Sequence, residues 1–186
     1  MGLHADPRAV SGWDGMLFAV LDRMRIGATC LALLILIGLV LLAAPVRAAV
    51  PGFDSAYAGE SAFLTIGPGT SGQFQVFFTN TGSTTWRKGT TSQVNLTVCL
   101  DDKTTCNVDS PLASWNDGSW LSNRAYSTHI QAEVAPGQLA TFVYSFKVPL
   151  TVTSGIYRFH GDLAQATTGI QIHPEGYYQE ATCACP

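Results

Sequence analysis

QFQVFFTNTGSTTW, residues 73–86, is the stretch whose reading decides the fold class. Its first half alternates: Phe74, Val76 and Phe78 fall on one side, with Gln73, Gln75 and Thr79 among the residues on the other. Successive side chains of a strand point to opposite faces, so this is the pattern of a half-buried β-strand. Asn80 to Thr85 then supplies small polar residues and a glycine, which signals a turn. The stretch closes on Trp86. A large aromatic at the end of a turn can fold back over the edge between two sheets and bury roughly 150–250 Å² there.

The same pattern recurs outward from this stretch. QVNLTVCL, residues 93–100, sets Val94, Leu96 and Val98 on one face. ATFVYSFKVP, residues 140–149, does the same with Phe142, Tyr144, Phe146 and Val148, and IYRFHGDL, residues 156–163, with Tyr157, Phe159 and Leu163. A short strand in SAFLTI precedes a Gly-Pro-Gly turn, and GIQI, residues 169–172, begins the last strand. APGQ and TSG mark further turns, and no long amphipathic helix interrupts the series. The expected fold is all-β: an antiparallel β-sandwich of about seven strands.

An amino-terminal signal peptide or membrane anchor helix precedes it. Of the chain's 186 residues, 26–44 form an uncharged apolar run behind Arg23 and Arg25, followed by Pro45 and the small-x-small pattern Val46–Ala48. A cleaved signal peptide and a retained anchor both fit, because 19 residues of helix reach about 28 Å against a bilayer core of about 30 Å. The expected organisation is an unstructured extension over 1–23, a signal peptide or anchor over 24–48, and the sandwich over 49–186. Met24 or Met16 is a candidate start. Both readings place the sandwich outside the cytoplasm, secreted or held on the outer face of the membrane, with membrane contact only through 26–44 if uncleaved.

Residues 49–186 hold ten acidic and six basic residues, a balance of −4. That mild acidity, without a basic stripe, argues against nucleic acid as a partner. Four cysteines, Cys99, Cys106, Cys183 and Cys185, fall in this part, and an even count in an exported domain points to disulfides. Cys99 and Cys106 flank LDDKTT, a turn-like segment, and a hairpin there brings the two ends within disulfide reach. Cys183 and Cys185 are one residue apart, which makes an internal bridge strained and leaves a bond to another chain and free thiols both open.

FFTNTGSTTW together with VAPGQLATFVYSFKVPLTVTSGIYRF resembles the immunoglobulin-like four-tryptophan (FW) domain of the bacterial extracytoplasmic type. The matching positions are Asn80, Thr81, Gly82, Trp86, Pro136, Gly137, Pro149, Gly155 and Tyr157, within a likeness spanning about residues 58–180. Of the four namesake tryptophans only Trp86 matches; the others align near Val76, Cys99 and Gly161. The resemblance implies an immunoglobulin-like antiparallel β-sandwich and not the cargo-receptor role known elsewhere in the family. Tyr157 also fits a tyrosine corner, its hydroxyl bonded to nearby backbone.

No nucleophile elbow, zinc-protease helix, phosphate loop or Cys-x-x-Cys is present, and no cofactor is expected. SWNDGSWLSNRAY, residues 114–126, concentrates Trp115, Asn116, Asp117, Trp120 and Tyr126. Exposed, these aromatics and amides form a platform for a surface glycan; packed inward, they are core. No metal site is expected. The weak candidates are His160 and His173, placed opposite each other if the last hairpin pairs Ala164 with Gly169, which also sets Arg158 opposite Glu175 and leaves Asp162 or Glu175 to complete a ligand set. The expected function is a non-enzymatic exported or cell-surface module whose partner is another envelope protein, with carbohydrate binding through Trp115, Trp120 and Tyr126 as the alternative.

Overall fold

A computed structural model describes residues 50–185. The extension and the candidate leader or anchor, residues 1–48, lie outside the described residues. Among the described residues no helix is long and apolar enough to cross a membrane.

The described chain is an immunoglobulin-like β-sandwich. Seven strands have four residues or more: β1 (Ser55–Glu60), β3 (Ser71–Asn80), β5 (Val94–Val98), β6 (Ala125–Thr128), β8 (Leu139–Lys147), β9 (Gly155–Gln165) and β10 (Tyr177–Cys183). Three are shorter: β2 (Leu64–Ile66), β4 (Trp86–Arg87) and β7 (Glu133–Val134). One sheet runs β1-β3-β8 and the other β2-β10-β9-β5-β6, while β4 and β7 form a two-stranded ribbon. All pairings are antiparallel except β2 with β10.

Every alternating face read from the sequence turns inward. Phe74, Val76, Phe78, Val94, Leu96, Val98, Phe142, Tyr144, Phe146, Val148, Phe159 and Leu163 are all buried. The two sheets meet through aromatic contacts: Phe74 of β3 lies 5.6 Å from Phe159 of β9, and Tyr126 of β6 stacks on Tyr144 of β8 at 4.5 Å. Each such pair contributes on the order of 1 kcal/mol beyond the area it buries.

The turn after β3 is built by Asn80. Its amide donates to the carbonyls of Thr84 and Val134, both at 2.9 Å, and its side-chain oxygen accepts from Gly82 N at 3.1 Å. Its backbone carbonyl accepts from Gly137 N at 2.7 Å. Pro136 and Gly137 occupy the centre of a turn closed by Gln138 N donating to Ala135 O, and the φ of 81° at Gly137 is the reason for glycine there. Gly82 is required by close approach instead: a Cβ at that position would lie 2.4 Å from Gly52 O and 2.6 Å from Asp54 N. So held, the turn delivers Trp86 into the core, fully buried, beside β7.

The final hairpin differs from the sequence expectation. Beyond Gln165 the chain makes one bridge, Ala164 to Gln171, and then leaves the sheet. The strand that pairs with β9 is Tyr177–Cys183, so His160 faces Tyr178, not His173, and Arg158 faces Glu180, not Glu175. The physical cause is Asp162. Its carboxylate accepts from Gln171 Nε2 at 2.9 Å and from Gly176 N at 3.1 Å, anchoring both ends of the 171–176 detour. Pro174, without an N–H, sits inside that detour, where it costs no ladder bond.

Candidate functional site

The residues proposed from sequence as a glycan platform are divided by the fold. Trp115 closes a 3-10 turn (Ala113–Trp115) and packs against Tyr157, the ring centres 4.6 Å apart at a tilt of 42°. Trp120 donates its indole N–H to Ser145 O at 2.6 Å, and Tyr126 donates its hydroxyl to His160 O at 3.1 Å. All three are buried, so their ring faces are not available to stack on a sugar. Asn116 and Asp117 stay nearer the surface as turn formers: Asn116 Oδ1 accepts from Gly118 N, and Asp117 Oδ1 from Ser119 N. The polar residues between the tryptophans made the segment look exposed, yet they serve only its turn.

The histidines are also separated. His160 Nε2 is 3.1 Å from Asp101 Oδ1, and burial pushes its pKa below the ordinary histidine value. His173 Nδ1 lies 2.6 Å from Asp54 Oδ1, with Glu175 at 3.7 Å from its other nitrogen. Among the described residues no group of three or more His, Cys, Asp or Glu side chains could hold a metal ion. Arg158 does pair with a glutamate, but with Glu180 at 3.1 Å.

Cys99 and Cys106 lie at disulfide distance across a hairpin, their Cα atoms 3.9 Å apart. Cys183 and Cys185 are likewise at disulfide distance, their Cα atoms 5.3 Å apart, which favours the internal pairing that the one-residue spacing disfavours as strained. The hairpin tip is set by Asp102. Its carboxylate accepts from Thr104 N, Thr105 N and the Thr105 hydroxyl, and these bonds lower its pKa to about 2. Tyr157 forms the corner expected of it, its hydroxyl donating to Thr153 O at 2.7 Å.

Two clefts border β9 and β10. The first, about 480 Å³, is lined by Asp101, Arg158 and His160 with Tyr157 and Ser110. Its polar groups are mostly engaged: Arg158 by Glu180, His160 by Asp101, and Ser110 Oγ by Leu112 N. The second, about 380 Å³, lies between the β1 end of one sheet and β10 of the other. Tyr57, Phe63 and Tyr178 are among its walls, with Glu60, Glu175 and Lys103. Tyr57 and Phe63 are 43% and 45% exposed, although most of the large aromatics are buried. Phe63 and Tyr178 sit 5.6 Å apart, and Lys103 Nζ lies 5.3 Å from the Tyr178 ring centre. Burial raises the pKa of the Glu60 carboxyl, and burial together with the Glu60 charge raises that of Tyr57 to about 12.

Sequence reasoning missed this cleft. Its aromatics come from positions 57, 63 and 178, which only the sheet order brings together; the local signal was the outward register of Tyr178 beside Glu180 and Thr182.

No family model and no curated protein matches the chain. Among solved structures it is similar to a CARDB domain from Pyrococcus furiosus crystallised with di-metal ions, at 9% identity and a TM-score of 0.42, covering 73% of this chain and 92% of that one. The solution structure of that domain gives 10% identity, a TM-score of 0.39 and coverage of 73% and 96%. AvmM, which catalyses macrocyclization in alchivemycin A biosynthesis, follows at 13% identity, a TM-score of 0.32 and coverage of 73% and 89%. Similarities of this size assign neither a family nor an activity to the chain.

Proposed function

We propose that the protein is a non-enzymatic, exported immunoglobulin-like module that binds another protein of the cell envelope through the Tyr57–Phe63–Tyr178 cleft. The observation that carries this reading is the exposure of Tyr57 and Phe63 beside Tyr178 in a domain that buries most of its other large aromatics. Aromatic residues in a concave, partly apolar site are the usual anchors of a protein interface. Export is supported by the apolar run at 26–44 behind two arginines, and by cysteine pairs of the kind that persist in oxidising compartments. The resemblance to the four-tryptophan family rests on the Asn80–Trp86 turn, the Pro136-Gly137 turn and the Tyr157 corner.

The test is a photo-crosslinking amino acid placed at Phe63 in living cells. A discrete adduct with an envelope protein is expected, and it should disappear with Tyr178→Ala at unchanged protein level. An adduct indifferent to Tyr178→Ala, or capture of a glycan in place of a protein, overturns the reading.

A further inference from the structure

We infer that the Tyr57–Phe63–Tyr178 cleft is a site for an organic ammonium ion, either free or carried on a partner's lysine side chain; the inference rests on reading this cleft as the binding site. Aromatic faces attract cations through their quadrupole, and the attraction grows when the site is partly shielded from water. Here the rings of Phe63 and Tyr178 lie 5.6 Å apart at a tilt of 35°, and Tyr57 lines the same cleft. Two carboxylates complete it. Glu60 is partly buried and interacts with Tyr57, while Glu175 accepts from the backbone N–H of Tyr57. A cleft of about 380 Å³ accommodates a substituted ammonium head.

The chain itself shows which charge the cleft accepts. Lys103 reaches in from the Cys99–Cys106 hairpin and places its ammonium over Tyr178. Among the described residues Lys103 makes no ion pair. Its stem rests on Gly176, where an added Cβ would lie 2.6 Å from Lys103 Cβ, so the lysine reaches the rim because no side chain stands there. An anionic ligand is disfavoured. Arg158, the other cation over Tyr178, is already engaged by Glu180 at 3.1 Å, and Glu60 and Glu175 would repel an anion. Lys103 is therefore a tethered occupant that a ligand ammonium displaces.

The experiment uses the full chain in a maltoside detergent, with saturation-transfer NMR titrations. The probes are choline, its uncharged isostere 3,3-dimethylbutan-1-ol, and Nα-acetyl-lysine methylamide. Choline or the lysine derivative should saturate in the millimolar range, and the isostere should bind about fivefold more weakly or worse. Tyr178→Ala and Glu60→Gln should each weaken the charged probe roughly three- to tenfold, and Lys103→Ala should tighten it. Circular dichroism of each variant separates loss of binding from loss of fold. Preference for choline points to a free quaternary ion, and preference for the lysine derivative to a protein side chain. Equal affinity for choline and the isostere, both sensitive to Tyr178→Ala, removes the cation assignment and leaves the cleft as a binding site. No binding of either charged probe by the wild type or by Lys103→Ala overturns the inference; if the Phe63 crosslink is also indifferent to Tyr178→Ala, the proposed function falls with it.

Discussion

Replacing Asp162 by asparagine should reverse the order of stability between pH 4 and pH 7. Asp162 is fully buried in β9. Burial raises its pKa from 3.8 to about 6, even though Leu163 N, Gly176 N and Gln171 all donate to it and pull the other way. Desolvation of the charge therefore outweighs three hydrogen bonds. Because the folded pKa is the higher one, the folded protein binds more protons than the unfolded chain between about pH 4 and 6. Stability should fall as pH rises through that window and level off above it. A difference of about two pKa units corresponds to about 2–3 kcal/mol at pH 7 relative to pH 4. Asparagine carries no charge and escapes that loss, but it offers one oxygen to three donors. If its oxygen serves Gln171 and Gly176, its amide faces Leu163 N–H, at a cost of about 1–2 kcal/mol. Asp162→Asn should then be less stable than wild type at pH 4 and equal or more stable at pH 7. Urea unfolding of both proteins, followed by circular dichroism at half-unit steps from pH 4 to 7, reads the difference directly and cancels the other titrating groups. A difference that stays flat, or that moves in favour of wild type as pH rises, would mean that the hydrogen bonds win and the argument is wrong.

Trp86 is fully buried with its indole N–H unpartnered, so Trp86→Phe should cost about 1–2 kcal/mol and Trp86→Ala about 3–5 kcal/mol in the same unfolding assay. Gly82→Ala should lose about 2–3 kcal/mol, because its methyl group meets the backbone of Gly52 and Asp54; a loss within 0.5 kcal/mol, taken as roughly nil, would show that the turn can relax. Reducing Cys99–Cys106, or replacing both with serine, should lower stability by about 2.5 kcal/mol through an eight-residue loop, and Cys99 should resist alkylation in non-reducing denaturant.

The parts of the fold that were legible in the sequence are those governed by nearest-neighbour physics. Alternation exposed the inward faces of β3, β5, β8 and β9 because a strand's period of two is written in consecutive residues. The Asn80 turn, the Pro136-Gly137 turn and the Tyr157 corner were legible for a similar reason: each carries its turn residues consecutively and makes a bond within a few residues, although Asn80 also reaches the distant Val134 and Gly137, which its local signal did not announce. The short strands β4 and β7 were not, because two residues carry no period; they exist because Trp86 and Val134 are buried together beside the turn. The last strand was misplaced by a long-range cause. GIQI has the pattern of a strand, but Asp162 binds Gln171 and Gly176, so the ladder resumes only at Tyr177. That one carboxylate moves the partner of His160 from His173 to Tyr178. It thereby separates His160 from His173, the weak metal candidates of the sequence, and puts Tyr178 on the outward side of β10, where Phe63 and Lys103 meet it. Burial of a charge that weakens the fold at neutral pH and formation of the aromatic cleft are thus two consequences of the same residue. Asp162→Asn keeps only one oxygen for that anchoring role, so choline binding by this variant would report whether the detour, and not Tyr178 alone, shapes the cleft.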